Sequence, residues 1–539
     1  MRNFDWIILV ITLAVIIAYG VYKSRTSKNL DGYFLSDRNM PWYLILLSIM
    51  GTQASAITFL SAPGQAYTDG MRFVQYYFGL PIAMIIICIF FVPVFNRLKV
   101  YTAYEFLEKR FDLKTRTLTS FLFQVSRGLS TGISVYAPSL ILSSLLNWNI
   151  YYTNIVMGGL LIIYTVTGGA KAVAHTQKLQ LIIVFAGMLL AGYYVVHLMP
   201  ANMHFKDALL IGGKSGKMNI ITSGANSHGF DWKDKYNIWS GIIGGLFLAL
   251  SYFGTDHSQV GRYLTAKNNR ASKMGLLMNG IVKVPMQFSI LLLGVLVFAF
   301  YQYHKAPVYF NQQQAFRAKH TIYKDSLILL ENEYASISPT DLAQSNKIRT
   351  DYKNLLTKAL PHEEVNDTNY IFLRFVIDYL PAGLVGLLIA VIFISAWGSI
   401  AAALNALAAC TVVDIHKRFF KKETDHHFDY RLSKIYTLTW GLFCIAVAEF
   451  ASNLGNSLIE TVNILGSLFY GVILGIFLVA FWFKNIKANA IFYSSIIAEI
   501  LVIVIYKMDI ISFLWLNVIG AVMVIIFGYA LQLVWKKNN

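Results

Sequence analysis

The 539-residue sequence has only three cysteines, and charged residues make up just 14% of it. Cys88, Cys410 and Cys444 each lie inside an apolar run, where they are most simply small core residues. Three such cysteines indicate neither a disulfide framework nor a metal site. The shortage of charge excludes an ordinary soluble protein, in which about a quarter of the residues are charged.

Hydrophobic residues make up 56% of the chain and recur in long runs. About 13 of these runs are long enough to cross a hydrocarbon core of roughly 30 Å, which predicts an all-α integral membrane protein. The run 371–413 is too long for one plain span and should include a short external helix before the crossing. The predicted spans are 4–22, 42–66, 74–96, 117–146, 149–168, 177–199, 238–262, 275–303, 371–413, 431–453, 457–484, 489–507 and 510–534.

Lysine and arginine outnumber the acids by 45 to 28, a surplus that could indicate nucleic-acid binding. The basic residues gather in alternate loops, however, and the positive-inside rule makes such loops cytoplasmic. We therefore expect a multi-pass inner-membrane protein with its N-terminus outside, its C-terminus in the cytoplasm and no nucleic-acid partner. The external loops are then 200–237 and 304–370, and the second is long enough to carry short helices.

Neither end of the chain indicates an additional module. The first apolar run follows Met1-Arg-Asn-Phe-Asp5 directly, so we expect no cleavable signal peptide. We also expect no soluble catalytic or signalling domain and no obligatory protein partner.

The run from Ser395 to Asp414 is rich in glycine, serine and alanine. Small residues allow another helix to approach closely, and they also leave hydroxyl and carbonyl oxygens accessible to a hard cation. The run by itself fits either role.

Two other spans contain polar or helix-breaking residues. The segment 48–64 combines glycine, serine and threonine with Gln53 and a Pro63-Gly64 pair, and the segment 244–257 is also irregular. Discontinuous helices in corresponding halves are typical of transporters whose binding site lies at the membrane midplane. A proline-kinked packing helix is the alternative for 48–64.

Three ionisable residues lie deep within predicted spans. Arg127 could pair with an acid, extend its head to the membrane surface, or offer a bidentate fork to a substrate carboxylate. Lys283 is similarly deep and is interpreted as structural, and Glu499 as a packing or interface residue.

The sequence resembles the sodium/solute symporter family from about residue 1 to 535. The resemblance rests on several motifs in order, and Tyr136 to Pro138 and Ala62 to Tyr67 are most similar to the iodide, vitamin and monocarboxylate branch. The motifs are Gly32 to Trp42, Tyr104 to Arg110, Tyr136 to Pro138, Thr167 to Val173, Thr255 to Lys267, and Ser399 through Asn405 to Ile415.

This resemblance implies sodium-driven alternating access rather than enzymatic activity, with Na+ as the coupling ion and no other cofactor. It implies a leading helix and loop (1–41), a first five-helix repeat (42–199), an external loop (200–237), an inverted second repeat (238–484) and two trailing helices (485–539). The partners would be a small solute, Na+ and the lipid bilayer.

Carried over by position, the sodium site would use the carbonyls of Gly51 and Ala54, the carbonyl of Ser395 and the hydroxyl of Ser399. The family usually has two adjacent hydroxyl residues where this chain has Gly398 and Ser399. The site is therefore expected to lack one side-chain ligand.

The family commonly has an aspartate, which serves a second sodium in some members, where this chain has Gln177. Gln177, Lys178 and Gln180 make a poor cation site, because a neutral amide stands beside an ammonium. We expect one coupled sodium, with Lys178 taking part of the role of the second ion.

The substrate positions implied by the family are Gln53, Ser55, Thr58, Tyr77, Arg127, Tyr252 and Asn463. Sugar carriers have a glutamate at Tyr77 and a polar residue at Ala249, so a simple hexose is disfavoured. Ser55, Thr58 and Arg127 resemble the carboxylate-binding set of sialic-acid carriers, and Tyr252 would be an aromatic lid on the inner side. The expected solute is an organic anion, either a sugar acid or a monocarboxylate.

Three alternatives remain. A sodium-coupled sugar or polyol carrier is the first of them. A membrane-embedded enzyme would have to use His175, Asp256 and His257, which already belong to family motifs or adjoin them. An ion channel would need a symmetric filter, and none is visible in the sequence.

Overall fold

The structure is a computed structural model that describes residues 2–24, 35, 38–146, 148–227, 229–338, 341–420, 426–451 and 457–537. Part of the motif 32–42 lies outside the described residues. The side chains of residues 167–172, of His175 and of the basic residues 23, 25, 28, 421, 422, 536 and 537 are not described either.

The chain is almost entirely helical. A short antiparallel pair, β1 (Ala225–Asn226) and β2 (Gly229–Phe230), lies in the predicted loop 200–237. The helices are α1 (Asn3–Ser24), α2 (Trp42–Gln53), α3 (Ala56–Asp69), α4 (Leu80–Ile86), α5 (Val92–Leu98), α6 (Glu105–Arg110), α7 (Leu113–Leu146), α8 (Ile150–His197), α9 (Phe205–Lys214), α10 (Gly245–Gly254), α11 (His257–Leu264), α12 (Asn269–Phe300), α13 (Gln312–Ala318), α14 (Lys324–Ser336), α15 (Leu342–Ala359), α16 (Thr368–Tyr379), α17 (Leu384–Cys410), α18 (Lys417–Phe419), α19 (His426–Phe450), α20 (Leu458–Trp482), α21 (Ala488–Lys507) and α22 (Phe513–Lys537).

Eight helical segments are long and apolar enough to cross a membrane, and the bent pair of α2 and α3 makes a ninth, counted over the described residues. Apolar helices also occupy the other predicted spans, with α1 at the start of the chain and α19 before α20. The all-helical membrane fold is confirmed, whereas the count of 13 crossings and the two inverted repeats stay predictions.

Helix α8 covers two predicted spans, 149–168 and 177–199, without a break in its helical backbone. It is nevertheless not straight. The hydroxyls of Tyr164 and Thr176 lie 3.0 Å apart, although twelve residues of straight helix advance about 18 Å. The chain therefore bends sharply between them, as two separate crossings require.

The predicted run 371–413 divides as expected into a short helix, α16, and a long one, α17, with Gly383 at a φ of 90° between them. Nearly every residue of α17 is buried, and it packs against α1, α7 and α8. The small-residue run thus lies at the centre of the helical assembly, so close packing is one of its roles.

The two discontinuous helices have their breaks where the sequence predicts them. Helices α2 and α3 meet at a bend of 60°, and α10 and α11 meet at Thr255 and Asp256. The Met40 amide N–H donates to the Thr265 carbonyl at 2.9 Å, so the end of α11 lies beside the start of α2. We call this end of the molecule the Trp42 side.

The opposite end is the Asp69 side, where the Met71 amide N–H donates to the Lys217 carbonyl at 2.8 Å. The predicted loop 304–370 lies between α12 and α16 and carries three helices, α13 to α15, as expected. It has a small hydrophobic core of its own, which includes Leu327, Ile348 and Tyr352.

Candidate functional site

A cavity of about 140 Å3 lies beside the break between α2 and α3. Helices α2, α3, α7, α10, α12, α17 and α20 contribute side chains to its wall. The structure brings to this one wall all seven predicted substrate residues together with the predicted sodium ligand Ser399. They are Gln53, Ser55, Thr58, Tyr77, Arg127, Tyr252, Asn463 and Ser399.

The break between α2 and α3 frees two carbonyl groups of the predicted sodium site. In a continuous helix, Gly51 would accept from the N–H of Ser55, and Ala54 from that of Thr58. Instead, the Ser55 N–H donates to the Gln53 carbonyl at 2.9 Å, and the Thr58 N–H donates to the Ser55 carbonyl at 3.0 Å. The carbonyl oxygens of Gly51 and Ala54 are therefore available to a cation.

Ser399 lines the cavity from the facing helix α17. Its hydroxyl donates to the Ala396 carbonyl at 3.0 Å, which leaves the lone pairs of the oxygen free to bind a cation. The predicted ligand Ser395 is buried one turn before it on the same helix.

The amide of Gln177 spans the gap between α2 and α17. Its Oε1 accepts from the Ser48 hydroxyl at 3.0 Å, and its Nε2 donates to the Thr52 hydroxyl oxygen and to the Gly398 carbonyl, each at 3.3 Å. An amide N–H thus occupies a carbonyl oxygen that could otherwise face a cation. The absence of a second sodium at Gln177 stays a prediction.

The side chains around Gly398 leave no room for a larger residue. A Cβ placed there would lie 2.6 Å from Oε1 of Gln180, and one placed on Gly51 would lie 2.8 Å from Cβ of Gln177. The two glutamine side chains therefore fill the space in which the second hydroxyl residue of the family pair would have to fit. Lys178 is exposed, whereas Gln177 and Gln180 are buried. Its position does not support the expectation that its ammonium takes part of the role of a second ion.

Arg127 does have a nearby acid, which its own helix does not supply. Its Nη2 lies 2.9 Å from Oδ2 of Asp256, a residue with a fully buried side chain at the other helix break. The same Nη2 donates to the Ser258 hydroxyl, and the guanidinium lies over the Tyr252 ring with 5.2 Å between their centres. Of the three roles left open by the sequence, the structure therefore shows the pairing with an acid.

Lys283, which was interpreted from the sequence as structural, is a second buried cation at the cavity. It lines the cavity from α12 and is only 2% exposed. Among the residues that the structure describes, no carboxylate lies within ion-pair distance of it, and its Nζ lies 5.6 Å from the centre of the Tyr77 ring. Helix α12 contains no acidic residue, but neither does α7 around Arg127, so the sequence of the helix does not show which of the two cations lacks a partner.

Two amides in the cavity wall also have unused donors. Neither Nε2 of Gln53 nor Nδ2 of Asn463 has a hydrogen-bond partner in the part of the chain that the structure describes. The Tyr76 hydroxyl, which the sequence analysis did not select, donates to Oδ1 of Asn463 at 3.1 Å and so directs its Nδ2 elsewhere. Buried donors normally find acceptors, so these groups suit a solute that is rich in acceptor oxygens.

Comparison with known proteins identifies the architecture. A sialic acid symporter solved in a substrate-bound, outward-open state, with sodium as its coupling ion, superposes with a TM-score of 0.79 at 22% identity over 99% of this chain and 98% of that one. The sodium/sialic acid symporter NanT of Aliivibrio fischeri is 25% identical over 99% of this chain and 94% of its own length. The sodium-coupled monocarboxylate transporter 1 of Xenopus laevis is 25% identical over 90% of this chain and 68% of its own.

The sequence model of one family covers most of the chain, matching residues 33–324 and 347–498. With its helical membrane fold, its two broken helices and the cavity beside the first break, the chain belongs to the sodium:solute symporter family.

Proposed function

We propose that this protein imports a small organic anion together with one Na+ by alternating access. The observation that carries the proposal is Lys283, a buried cation on the cavity wall without an ion-pair partner among the described residues. A buried charge is normally paired or shifted to its neutral form. A carboxylate on the solute would supply the missing partner.

The proposed anion site has three donors around it. Lys283 would bind the carboxylate, while the free amide nitrogens of Gln53 and Asn463 would bind other oxygens of the same solute. Ser55 and Thr58 add hydroxyls from the start of α3. This assignment keeps the organic anion expected from the sequence but moves its main anchor from Arg127 to Lys283.

The proposed sodium site comprises the carbonyls of Gly51, Ala54 and Ser395 and the hydroxyl of Ser399. The free carbonyls at the helix break support it. The Gln177 amide, directed at the Gly398 carbonyl, supports a single ion. Relatives that carry sialic acid and monocarboxylates with sodium support both the ion and the class of solute.

The test is uptake into proteoliposomes driven by a sodium gradient, with N-acetylneuraminate and pyruvate as anionic probes and glucose as a neutral one. We expect uptake of at least one anion and little uptake of glucose. Lys283→Met should lower the apparent affinity for that anion by at least about 30-fold, because a buried ion pair worth roughly 2 kcal/mol or more is lost.

Lys273→Met is the matched control, because it makes the same change ten residues earlier on α12 at a position outside the cavity. Normal affinity in Lys283→Met, or sodium-driven uptake of glucose alone, would contradict the organic-anion proposal. The sugar or polyol carrier would then be favoured, since the free amides of Gln53 and Asn463 also suit hydroxyl oxygens.

A further inference from the structure

The Trp42 side of the cavity is closed by a cluster of polar side chains from four helices. Arg127 comes from α7, Tyr470 from α20, and the other members from α10, α11 and the break between them. Arg127, Tyr252 and Tyr470 line the cavity, whereas Ser258 and Gln259 lie beyond the break on the Trp42 side. A solute leaving on this side has to pass the cluster.

Asp256 is the centre of this cluster. Its Oδ1 caps α11 by accepting from the Ser258 amide N–H at 2.8 Å. Its Oδ2 accepts from the Tyr470 hydroxyl at 2.8 Å and pairs with Nη2 of Arg127 at 2.9 Å. The carboxylate therefore joins α7 and α20 to the start of α11.

Tyr252 completes the closure from the cavity side. Its ring lies under the guanidinium of Arg127, and its hydroxyl accepts from Nε2 of Gln259 at 2.7 Å. The Tyr252 and Tyr470 rings lie 5.9 Å apart. Two aromatic rings and an ion pair thus form one layer between the cavity and α11.

Arg127 is poorly placed to bind the carboxylate of a solute as well. Its charge is already balanced by Asp256, and its Nη2 also donates to Ser258, although its Nε has no hydrogen-bond partner among the described residues. If a solute drew the guanidinium away, Asp256 would remain fully buried without its cation, an arrangement that proteins avoid. Lys283, by contrast, has no ion-pair partner among the described residues.

We propose that Arg127 and Asp256 form the gate on the Trp42 side of this symporter and are not ligands of the solute. The ion pair holds α11 against α7 while the cavity is closed on this side. The path opens when α11 moves away and the pair separates. Helix α2 can bend at the break at Ala54, and α11 can bend at the break at Thr255.

The gate can be tested without knowing the natural solute. A cysteine placed at Ala403, which lines the cavity, would report access to it in a background that lacks the three native cysteines. The measurement is the rate of labelling by a membrane-impermeant maleimide added from the Trp42 side. We expect Arg127→Gln and Asp256→Asn each to raise this rate at least about fivefold.

The charge reversal, Arg127→Asp with Asp256→Arg, should bring the labelling rate back toward that of the parent protein, because the pair is restored in the opposite sense. Tyr470→Phe removes one hydrogen bond to Asp256 and no charge, so it should raise the rate by a smaller factor. If the reversal variant does not fold, the order of Asp256→Asn above Tyr470→Phe above the parent remains the test. Unchanged labelling in both of those variants would overturn the gate.

Equilibrium binding of N-acetylneuraminate or pyruvate in the presence of Na+ separates the gate from a solute ligand. A gate predicts binding within about threefold of the parent in both Arg127→Gln and Asp256→Asn. A solute ligand predicts the opposite pattern, with binding lost in Arg127→Gln and tightened in Asp256→Asn, because the guanidinium would be freed for the anion.

Lys283→Met makes this experiment independent of the proposed function. It should abolish binding of the anion and leave maleimide labelling unchanged. If Lys283→Met binds normally while the gate variants label faster, the organic anion is wrong and the gate stands. If binding is lost in Arg127→Gln and labelling does not change, the gate is wrong and the anion stands.

Discussion

The first helix break of this protein borders the cavity and the second lies behind Arg127 and Tyr252, and the two satisfy their polar groups in different ways. At the first break, the carbonyls of Gly51 and Ala54 have lost their helical donors. At the second, the Asp256 carboxylate receives an N–H, a hydroxyl and a guanidinium from the protein itself. One break is electron-rich and open to a mobile cation, and the other contains its own cation.

This difference assigns different work to two segments that look alike in sequence. Both combine small residues with hydroxyls, and both interrupt an apolar span. The first borders the cavity, where Gln53 and Ser55 face Ser399, so it is the break that can respond to a sodium gradient through direct contact. The second loses the ion pair and the hydrogen bond of Asp256 when the helices separate, so it suits a gate.

The largest effect that would sharpen the comparison is expected from Gln177→Asp. It replaces an amide that donates to the Gly398 carbonyl with an acceptor-only carboxylate beside the first break. We expect the Hill coefficient for sodium to rise from near one toward two in uptake measurements. The half-saturating sodium concentration should also fall by roughly tenfold, for a gain of about 1.4 kcal/mol.

Gln177→Glu is a suitable companion variant, because it keeps the length of the side chain and adds the same charge. A parent protein that already shows a Hill coefficient near two would contradict the single-sodium proposal. A Gln177→Asp variant that folds and remains at one would show that this position cannot hold a cation.

Ser399→Ala is the next change in order of expected size. It removes the one hydroxyl proposed to bind sodium, and the loss of one such contact costs about 1 kcal/mol. The half-saturating sodium concentration should rise about fivefold in uptake kinetics. Ser395→Ala is the matched control one turn away, because Ser395 is proposed to contribute its backbone carbonyl, which the substitution retains. Equal effects of the two variants would argue against the proposed ligand set.

Much of the first break was predictable from local sequence, whereas the function of the second was not. Glycine, serine and threonine around Gln53, followed by Pro63, indicate an interrupted helix, and the structure places the interruption at Ala54 and Ser55. Asp256 also stands in a recognisable motif. Its partner lies in a different helix far away in the sequence, so no local pattern reveals the pair.

The same reasoning explains the two cations. The sequence left the role of Arg127 open because its own helix offers no acid, and the fold supplies one. Lys283 looked structural because its depth alone is ambiguous, yet the fold brings it to the cavity without a carboxylate. Local sequence identifies buried charge, but only the packing of helices shows which charge is already balanced.

A smaller effect is expected at Gly398. The sequence suggests that Gly398→Ser would restore the hydroxyl pair of the family and tighten sodium binding. In the structure, this change alone should bring little gain in sodium affinity, because the new Cβ would lie 2.6 Å from Oε1 of Gln180. We expect at most about a twofold change in sodium affinity, because the strain of moving Gln180 offsets one added ligand. Gly398→Ser combined with Gln180→Ala should bind sodium more tightly than either single variant. If the effects of the two substitutions on sodium affinity simply add, the proposed steric conflict with Gln180 is wrong.

The smallest expected effect is that of the membrane potential on the unmodified protein. If one Na+ crosses with one monovalent anion, and the Arg127–Asp256 pair stays neutral overall, the cargo carries no net charge. A transmembrane potential acts on charge at about 2.3 kcal/mol per elementary charge per 100 mV, so it should not drive accumulation of a monoanion. Valinomycin-imposed potassium potentials in proteoliposomes, at a fixed sodium gradient, should therefore leave the steady-state level of pyruvate or N-acetylneuraminate unchanged. Gln177→Asp is the sharpest comparison in this assay: a second sodium would make transport electrogenic, and an inside-negative potential should then raise accumulation. Strong potential dependence in the parent protein would show that a further cation travels with the anion, and the contrast between an open first break and a self-neutralised second break would have to include another ion site.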